Sequence, residues 1–176
     1  MTRLPISPDQ LLLRSFHAWD QGWFLLTAGD FAAGRFNCMT VSWGSLGTIW
    51  GKPLAMAVVR PQRHTYGFME QADSFTLCAF GPSQRDALRV LGTRSGREMD
   101  KVNASGLTPV ASAAVASPSY QEAELVIECR KTYFQDLDPA HFLADYIADC
   151  YDNDFHRMYF GEVVALSASE PYILGG

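Results

Sequence analysis

The chain has 176 residues, of which 48% are hydrophobic, and a net charge of −5 at pH 7. This length fits one domain, 1–176, with a sizeable core, and an acidic chain without a basic run lacks the charge pattern of a nucleic-acid-binding protein. Because no apolar stretch reaches the length of a membrane span and the N-terminus has no signal-peptide core, we expect a cytoplasmic protein without membrane contact.

The segment before the first strand carries a helix start. Ser7 stands at the N-cap, Pro8 at the first helical position and Gln10 three residues after the cap. Together with the leucines that follow, this pattern predicts a short docking helix over about 8–17. The first strand is predicted from Trp23 to Thr27.

The segment from Phe36 to Trp43 alternates in the manner of a strand, but Asn37, Thr40 and Ser42 place polar side chains on both faces. Buried donors and acceptors need partners. Two interpretations therefore stay open: an edge strand with solvated hydroxyls, or a strand that meets the polar edge of a flat ligand.

The stretch Gly44–Lys52 is predicted to be a loop, because it is too rich in glycine for a helix. Trp43 and Trp50 could wall an aromatic ring or fill a core. The next strand, Pro53–Val59, has small residues throughout and delivers Arg60 at a corner where Pro61 stops further pairing. Such an arginine is either a phosphate ligand or an ordinary surface residue.

Helix and strand patterns continue after Arg63. A helix is predicted over His64–Ala72, a strand over Ser74–Phe80 and a helix over Gln84–Leu91 that ends at Gly92. Ser95 and Glu98 then match a capping box. The start of that helix, with Arg94, Arg97 and Lys101 nearby, is either an anion site or a routinely capped surface helix.

The last third of the chain begins with a small-residue arm, 103–119, which we expect at the surface. A long strand follows from Tyr120, with one dry face and one mostly wet face. The dry face holds Ala123, Leu125, Ile127 and Cys129, and the wet face holds Glu124, Val126, Glu128 and Arg130. A helix beginning at Asp138–Pro139 is predicted to dock on the barrel through an apolar stripe of Phe142, Leu143, Tyr146 and Ile147. Arg157–Leu166 is predicted as the last strand before a tail of about 168–176.

Cysteines and histidines do not follow a metal-binding pattern. The four cysteines, Cys38, Cys78, Cys129 and Cys150, include no C-x-x-C pair, and the first three lie in strand-like runs, so buried reduced thiols are predicted. No histidine belongs to a metal-spaced pair, and the chain has no G-x-S-x-G elbow and no G-x-G-x-x-G after a strand. No metal site, acyl-transfer site or Rossmann site is expected.

Four segments in order resemble the flavin reductase family, FMN-binding split-barrel proteins of the flavoredoxin-like branch. They are FNCMTVSWGSLGTIWGKP, VVRPQRHTYGFME, TRSGREMDK and FHRMYFGEV, and the resemblance covers about Trp23 to Val164. It implies a mostly β fold with flanking helices, a six-stranded antiparallel split β-barrel of Greek-key type. It also implies a homodimer with FMN near the dimer interface.

The resemblance implies FMN contacts from three parts of the chain. The FMN-binding residues predicted in this way are Asn37, Cys38, Met39, Thr40, Val41, Ser42, Trp43, Val59, Arg60, Pro61, Arg63, Thr65, Tyr66, Ser95, Gly96 and Lys101. His156 matches a histidine that recurs in the flavoredoxin-like branch, which would place it near the flavin or nicotinamide; otherwise it is a loop histidine. No catalytic side chain is expected, because hydride passes directly from the nicotinamide to flavin N5.

The function implied is an FMN-binding oxidoreductase that transfers hydride from NADH or NADPH to the flavin. The alternative is a flavoredoxin-type electron carrier that takes electrons from a redox partner protein. A third possibility is a flavin-binding protein whose partner the sequence does not identify. FMN is predicted over FAD because Arg60, Arg63, Ser95 and Lys101 suit a single phosphate.

Overall fold

The computed structural model describes residues 2–175; Met1 and Gly176 lie outside the described residues. Its strands are β1 (Leu4–Pro5), β2 (Phe24–Asp30), β3 (Arg35–Val41), β4 (Gly44–Ile49), β5 (Lys52–Val59), β6 (Ser74–Ala79), β7 (Pro109–Val110), β8 (Ser119–Tyr120), β9 (Leu125–Asp136) and β10 (Arg157–Ala168). The main sheet has the order β3-β2-β6-β9-β10-β5-β4, with β1 paired to β10. All of its pairings are antiparallel.

The mostly β, antiparallel fold predicted from the sequence is confirmed. The six predicted strands correspond to β2, β3, β5, β6, β9 and β10. The loop predicted over Gly44–Lys52 is wrong, because most of it forms β4 paired with β5. Trp50 and Gly51 form the turn between them with φ of 54° and 68°. Two successive residues with positive φ match the twist of a tight hairpin, so a glycine-rich stretch can continue the sheet.

The main sheet is covered on both faces. On β2, Leu26 faces one hydrophobic cluster and Leu25 faces the other. On β9, the wet-face prediction fails for Val126 and Glu128, which are both buried. The reason is that the arm 103–119, many of whose residues are exposed as expected, also packs over this face, with Ser117 fully buried.

The helices are short: α1 (Ser15–His17), α2 (His64–Gln71), α3 (Arg85–Thr93), α4 (Lys101–Ser105) and α5 (Asp145–Ala148). The predicted helices at α2 and α3 are confirmed. Gly92 lies inside α3 and does not terminate it, contrary to the prediction. None of the helices within residues 2–175 combines the length and the apolar character needed to cross a membrane.

The N-terminal helix predicted over about 8–17 is wrong. The chain forms a 3-10 turn at Pro8–Gln10 and is not helical again until α1, Ser15–His17. Leu11 then bridges to Ile173, and Leu12 N–H donates to the Tyr172 carbonyl at 2.9 Å. The C-terminal segment therefore takes up the backbone groups that a helix would use, and the predicted tail is a pairing partner of the N-terminal segment.

The docking helix predicted from Asp138 is also wrong. It is divided into a 3-10 turn, Pro139–His141, and α5. Leu143 and Tyr146, two members of the expected apolar stripe, are 98% and 72% exposed. The stripe therefore does not pack against the sheet.

The prediction of buried reduced thiols is confirmed for Cys38, Cys78 and Cys129, which are free and buried. Burial raises the pKa of each of these three thiols, because a thiolate is poorly solvated there. Cys150 is also free, but it is exposed.

Candidate functional site

A cavity of about 300 Å³ lies where β3 and β5 end, and we call it the strand-end cavity. It is lined by Met39, Thr40, Val41, Ser42, Trp43, Val58, Arg60, Arg63, Gly92 and His156. Five consecutive residues of the predicted FMN site thus meet two of the predicted arginines and His156. Three hydrophobic side chains, two hydroxyl groups, two cations, an indole and an imidazole are brought together in this way.

Helix α3 forms one wall of the strand-end cavity. Thr40 Oγ1 donates a hydrogen bond to the Leu88 carbonyl at 2.5 Å, which ties β3 to the helix. A Cβ atom on Gly92 would lie 3.2 Å from Thr40 Cβ, tighter than ordinary contact. Gly92 therefore permits the close approach of α3 to β3. The sequence did not indicate this role, because Gly92 was predicted to end the helix.

Arg63 contributes a partly buried positive charge to the cavity. Its Nη2 donates to the Gly92 carbonyl at 2.6 Å. Burial, and then the nearby Arg60 guanidinium, lower the pKa of Arg63 from its ordinary value. Two cations that repel each other in a partly dry site create a potential that favours an anion.

Arg60 is held by the segment that precedes β10. Its Nη1 lies 2.6 Å from Asp154 Oδ2, and its Nη2 donates to the Cys150 carbonyl at 2.8 Å. The guanidinium also lies over the Tyr151 ring, 5.3 Å from the centroid. In this structure Arg60 is therefore bonded within the chain. It is neither an unoccupied phosphate ligand nor an ordinary surface arginine.

His156 lies beside Trp43, with the ring centroids 5.1 Å apart. The imidazole is buried, and its Nδ1 is 3.0 Å from the Tyr151 hydroxyl. Burial, with a further contribution from Arg60, lowers the pKa of His156 to about 4, while Asp154 opposes the shift. The imidazole is therefore neutral at pH 7, and the wall made by His156 and Trp43 carries no charge.

This depressed pKa predicts a pH-dependent stability. Below pH 6.5, the ordinary pKa of histidine, His156 is protonated in the unfolded chain. In the folded protein it stays neutral until the pH approaches about 4. The free energy of unfolding should therefore fall as the pH drops through this window, by at most roughly 3 kcal/mol from this residue. Urea unfolding between pH 7 and pH 4 should show a shallower loss in His156→Gln than in the wild type. The exposed His141, as His141→Gln, is the control, and an unchanged slope in His156→Gln would contradict the assignment.

Asn37, Cys38 and Thr65 do not line the strand-end cavity. Asn37 Nδ2 donates to Thr65 Oγ1 at 2.8 Å, and Thr65 Oγ1 donates to the Cys38 carbonyl at 3.1 Å. All three residues are buried. In this structure they tie β3 to the start of α2.

Val59, Pro61 and Tyr66 also lie away from the strand-end cavity. Val59 points into the core and its neighbour Val58 lines the cavity, as the alternation of β5 requires. Pro61 is exposed in the turn after β5. Tyr66 lies 6.3 Å from the Tyr159 ring and under the Arg157 guanidinium.

The predicted capping box at Ser95 and Glu98 is wrong. Ser95 Oγ accepts from Arg97 N–H at 3.2 Å within a turn, and no helix begins there. Helix α4 begins later, with Asp100 as its N-cap, accepting from Asn103 N–H at 3.0 Å. The aspartate satisfies the first free donors of the helix, so the serine remains in the preceding turn.

Lys101 and Gly96 line a separate cavity of about 830 Å³, together with Asn37. The Lys101 side chain is buried, and its Nζ donates to the Leu91 carbonyl at 3.1 Å and the Arg94 carbonyl at 3.4 Å. Those predicted FMN-binding residues that line either cavity are thus divided. Asn37, Gly96 and Lys101 line this one, and Met39 to Trp43, Arg60 and Arg63 line the strand-end cavity. The two arginines share a cavity with the end of β3, whereas Ser95, Gly96 and Lys101 do not line it.

Two other features bear on the choice of site. A cavity of about 560 Å³ lies between the N-terminal segment and α3, and none of the predicted FMN-binding residues lines it. Trp50 is exposed and lies 6.0 Å from Tyr133 in an edge-on arrangement, so it does not wall the strand-end cavity. Of the two tryptophans considered from the sequence, Trp43 alone lines that cavity.

A family model described as flavin reductase like domain matches residues 16–173. The chain belongs to the flavin reductase-like family. The family resemblance predicted from the four sequence segments is therefore confirmed. Comparison with curated proteins gives no match.

Solved structures of flavin reductase-like proteins share the fold. Flavoredoxin of Desulfovibrio vulgaris is 19% identical with a TM-score of 0.66, over 97% of this chain and 78% of its own. A protein of Shewanella frigidimarina with a split barrel domain is 19% identical with a TM-score of 0.67, over 89% and 73%. An NADH:FAD oxidoreductase of Streptomyces globisporus is 15% identical with a TM-score of 0.65, over 86% and 77%. At these identities the similarity shows the split-barrel fold.

Proposed function

We propose that this protein binds FMN in the strand-end cavity and works as an NAD(P)H-dependent flavin reductase-like oxidoreductase. The observation that carries the proposal is that Arg60 and Arg63 share one cavity with the uncharged ring pair Trp43 and His156. Two guanidinium groups suit one phosphate, and flat rings suit an aromatic heterocycle. Membership of the flavin reductase-like family supports a flavin as the cofactor.

Bound flavin would supply the redox chemistry, accepting hydride at a ring nitrogen and passing on electrons. The residues of the chain would then bind and orient it. Arg60 and Arg63 would hold the phosphate, and Trp43 and His156 would present uncharged surfaces. His156 is neutral at pH 7 because its pKa is lowered to about 4, so it can exchange a hydrogen bond with a ring edge without adding charge.

The second candidate is an electron carrier that takes electrons from a redox partner protein. The fold is shared with a flavoredoxin and with an NADH:FAD oxidoreductase, so both roles are compatible with it. Anaerobic addition of NADH or NADPH to the protein loaded with FMN separates them. Rapid loss of flavin absorbance supports the reductase, and loss only with dithionite supports the carrier.

Arg63→Ala should weaken FMN binding by about tenfold to a hundredfold, because a charge-assisted hydrogen bond contributes roughly 1.5 to 3 kcal/mol. Riboflavin, which lacks the phosphate, should bind with nearly unchanged affinity. Flavin fluorescence titration measures both constants. Arg89→Ala is the matched control, since Arg89 is an exposed arginine of α3 outside the strand-end cavity. Equal weakening of both flavins would contradict the phosphate assignment.

A homodimer remains part of the proposal. Strand β4 ends the strand order, so its outer side has no strand neighbour within residues 2–175. Large hydrophobic side chains are exposed on the β4–β5 hairpin, at Ile49 and Trp50, and on β9, at Tyr133 and Phe134. Surfaces of this kind are typical of subunit contacts. Light scattering at micromolar concentration should give about twice the 19.5 kDa chain mass, and a monomer mass would contradict the proposal.

A further inference from the structure

The positive charge of the strand-end cavity is partly neutralised from within the chain. Asp154 Oδ2 lies 2.6 Å from Arg60 Nη1 and also accepts from Gln62 Nε2. Its other oxygen, Oδ1, accepts from Asp152 N–H at 3.0 Å. The backbone N–H of Asp152, and then Arg60 and Gln62, hold the pKa of Asp154 well below its usual range, so the carboxylate stays ionised throughout the neutral region.

The carboxylate already accepts a hydrogen bond from one terminal nitrogen of Arg60, so it would compete with an incoming phosphate for this guanidinium. Arg60 Nη1 is taken by Asp154 and Nη2 by the Cys150 carbonyl. The Arg60 and Asp154 side chains are only 30% and 21% exposed, so solvent screens this pair less than a surface pair. A bound phosphate must therefore displace the Asp154 carboxylate or lie near a like charge, and both reduce its affinity.

We propose that Asp154 is a specificity-determining residue of the flavin site, competing with the flavin phosphate for Arg60. This inference rests on the proposed function. The competition weakens the binding of FMN and leaves the binding of riboflavin unchanged. It therefore reduces the difference between the two affinities. It also makes FMN exchangeable, so that a reduced flavin can leave the site and an oxidised one can replace it.

The test compares Asp154→Asn with the wild type in fluorescence titrations of FMN and riboflavin. The asparagine keeps an oxygen for Arg60 and Gln62 but removes the charge. We expect FMN to bind at least about tenfold more tightly, equivalent to 1.4 kcal/mol, with riboflavin within about twofold. Asp152→Asn removes the same charge two residues away, at a side chain that does not contact Arg60, and should change FMN binding by less than about threefold.

Four outcomes would overturn the inference. If FMN binds wild-type protein but Asp154→Asn leaves its affinity unchanged or weaker, Asp154 does not compete. If both flavins tighten equally, Asp154 acts on the ring or on the fold. If Asp154→Asn tightens FMN equally in an Arg60→Ala background, the carboxylate does not act by occupying Arg60. If neither the wild type nor Asp154→Asn binds either flavin, the proposed function itself is wrong. This outcome differs from the other three, in which flavin still binds.

Discussion

Gly29→Ala is expected to lower the free energy of unfolding by about 3 to 5 kcal/mol, because it combines backbone strain with overpacking. Gly29 has a φ of +129°, which residues with a Cβ rarely adopt. An added Cβ would lie 2.4 Å from the Arg35 carbonyl oxygen and 2.5 Å from Phe36 Cα. Both are backbone atoms of β3, so relief requires opening the β2–β3 pairing that presents the end of β3 to the strand-end cavity.

Urea denaturation of Gly29→Ala measures this loss directly. The matched control is Gly67→Ala, because an added Cβ there meets nothing within 4 Å and φ is not positive. Gly67 lies in the interior of α2 and is exposed. Alanine at this position should raise stability by about 0.5 to 1 kcal/mol. A loss below about 1 kcal/mol in Gly29→Ala would show that β3 can move away without cost.

Glu128→Ala should cost about 2 to 4 kcal/mol, the second-largest expected loss. The Glu128 carboxylate is 4% exposed and accepts from the N–H groups of Ala113 and Ala114 at 2.8 and 2.6 Å. Removing it leaves two N–H groups of the arm 103–119 without their acceptor over a buried sheet face. The arm should detach locally, so we expect faster protease cleavage within it as well as a lower urea midpoint.

Glu122→Ala provides the comparison. Its carboxylate also accepts from a backbone N–H, that of Thr108 at 3.0 Å, but the contact is exposed. Water can replace an exposed acceptor, so this substitution should cost less than about 1 kcal/mol. Equal losses in the two variants would mean that burial of Glu128 is not what makes its contact strong.

The strands were predictable because each of the six is a continuous apolar or alternating run. The β4 hairpin was not, since its turn depends on a positive φ at Trp50 that no residue pattern announced. The face of β9 bearing Val126 and Glu128 was misjudged because the chain that covers it, 103–119, has few bulky residues. Small residues can still cover a sheet when a buried carboxylate holds their backbone in place.

Part of the candidate site could likewise be predicted from the sequence, and part could not. Met39 to Trp43, Arg60 and Arg63 belong to one stretch of the sequence, and the family resemblance implied that they share a site. The strand prediction alone did not, because β3 and β5 are not neighbours in the sheet. The partner of Arg60, Asp154, lies 94 residues away, and no local motif marks it. The Ser95 pattern was misleading because a serine with a glutamate three residues later occurs in turns as well as at helix starts. In both cases the serine hydroxyl can accept from a nearby backbone N–H.

Cys150 offers a way to observe the site without substituting any of the side chains proposed to bind the flavin. Of the four cysteines in the described chain it alone is exposed, while burial raises the pKa of the other three. A maleimide dye should therefore attach at Cys150 in the native protein. The dye would sit on the residue whose carbonyl binds Arg60, so its emission would report ligand entry in real time, including ligands that are themselves colourless.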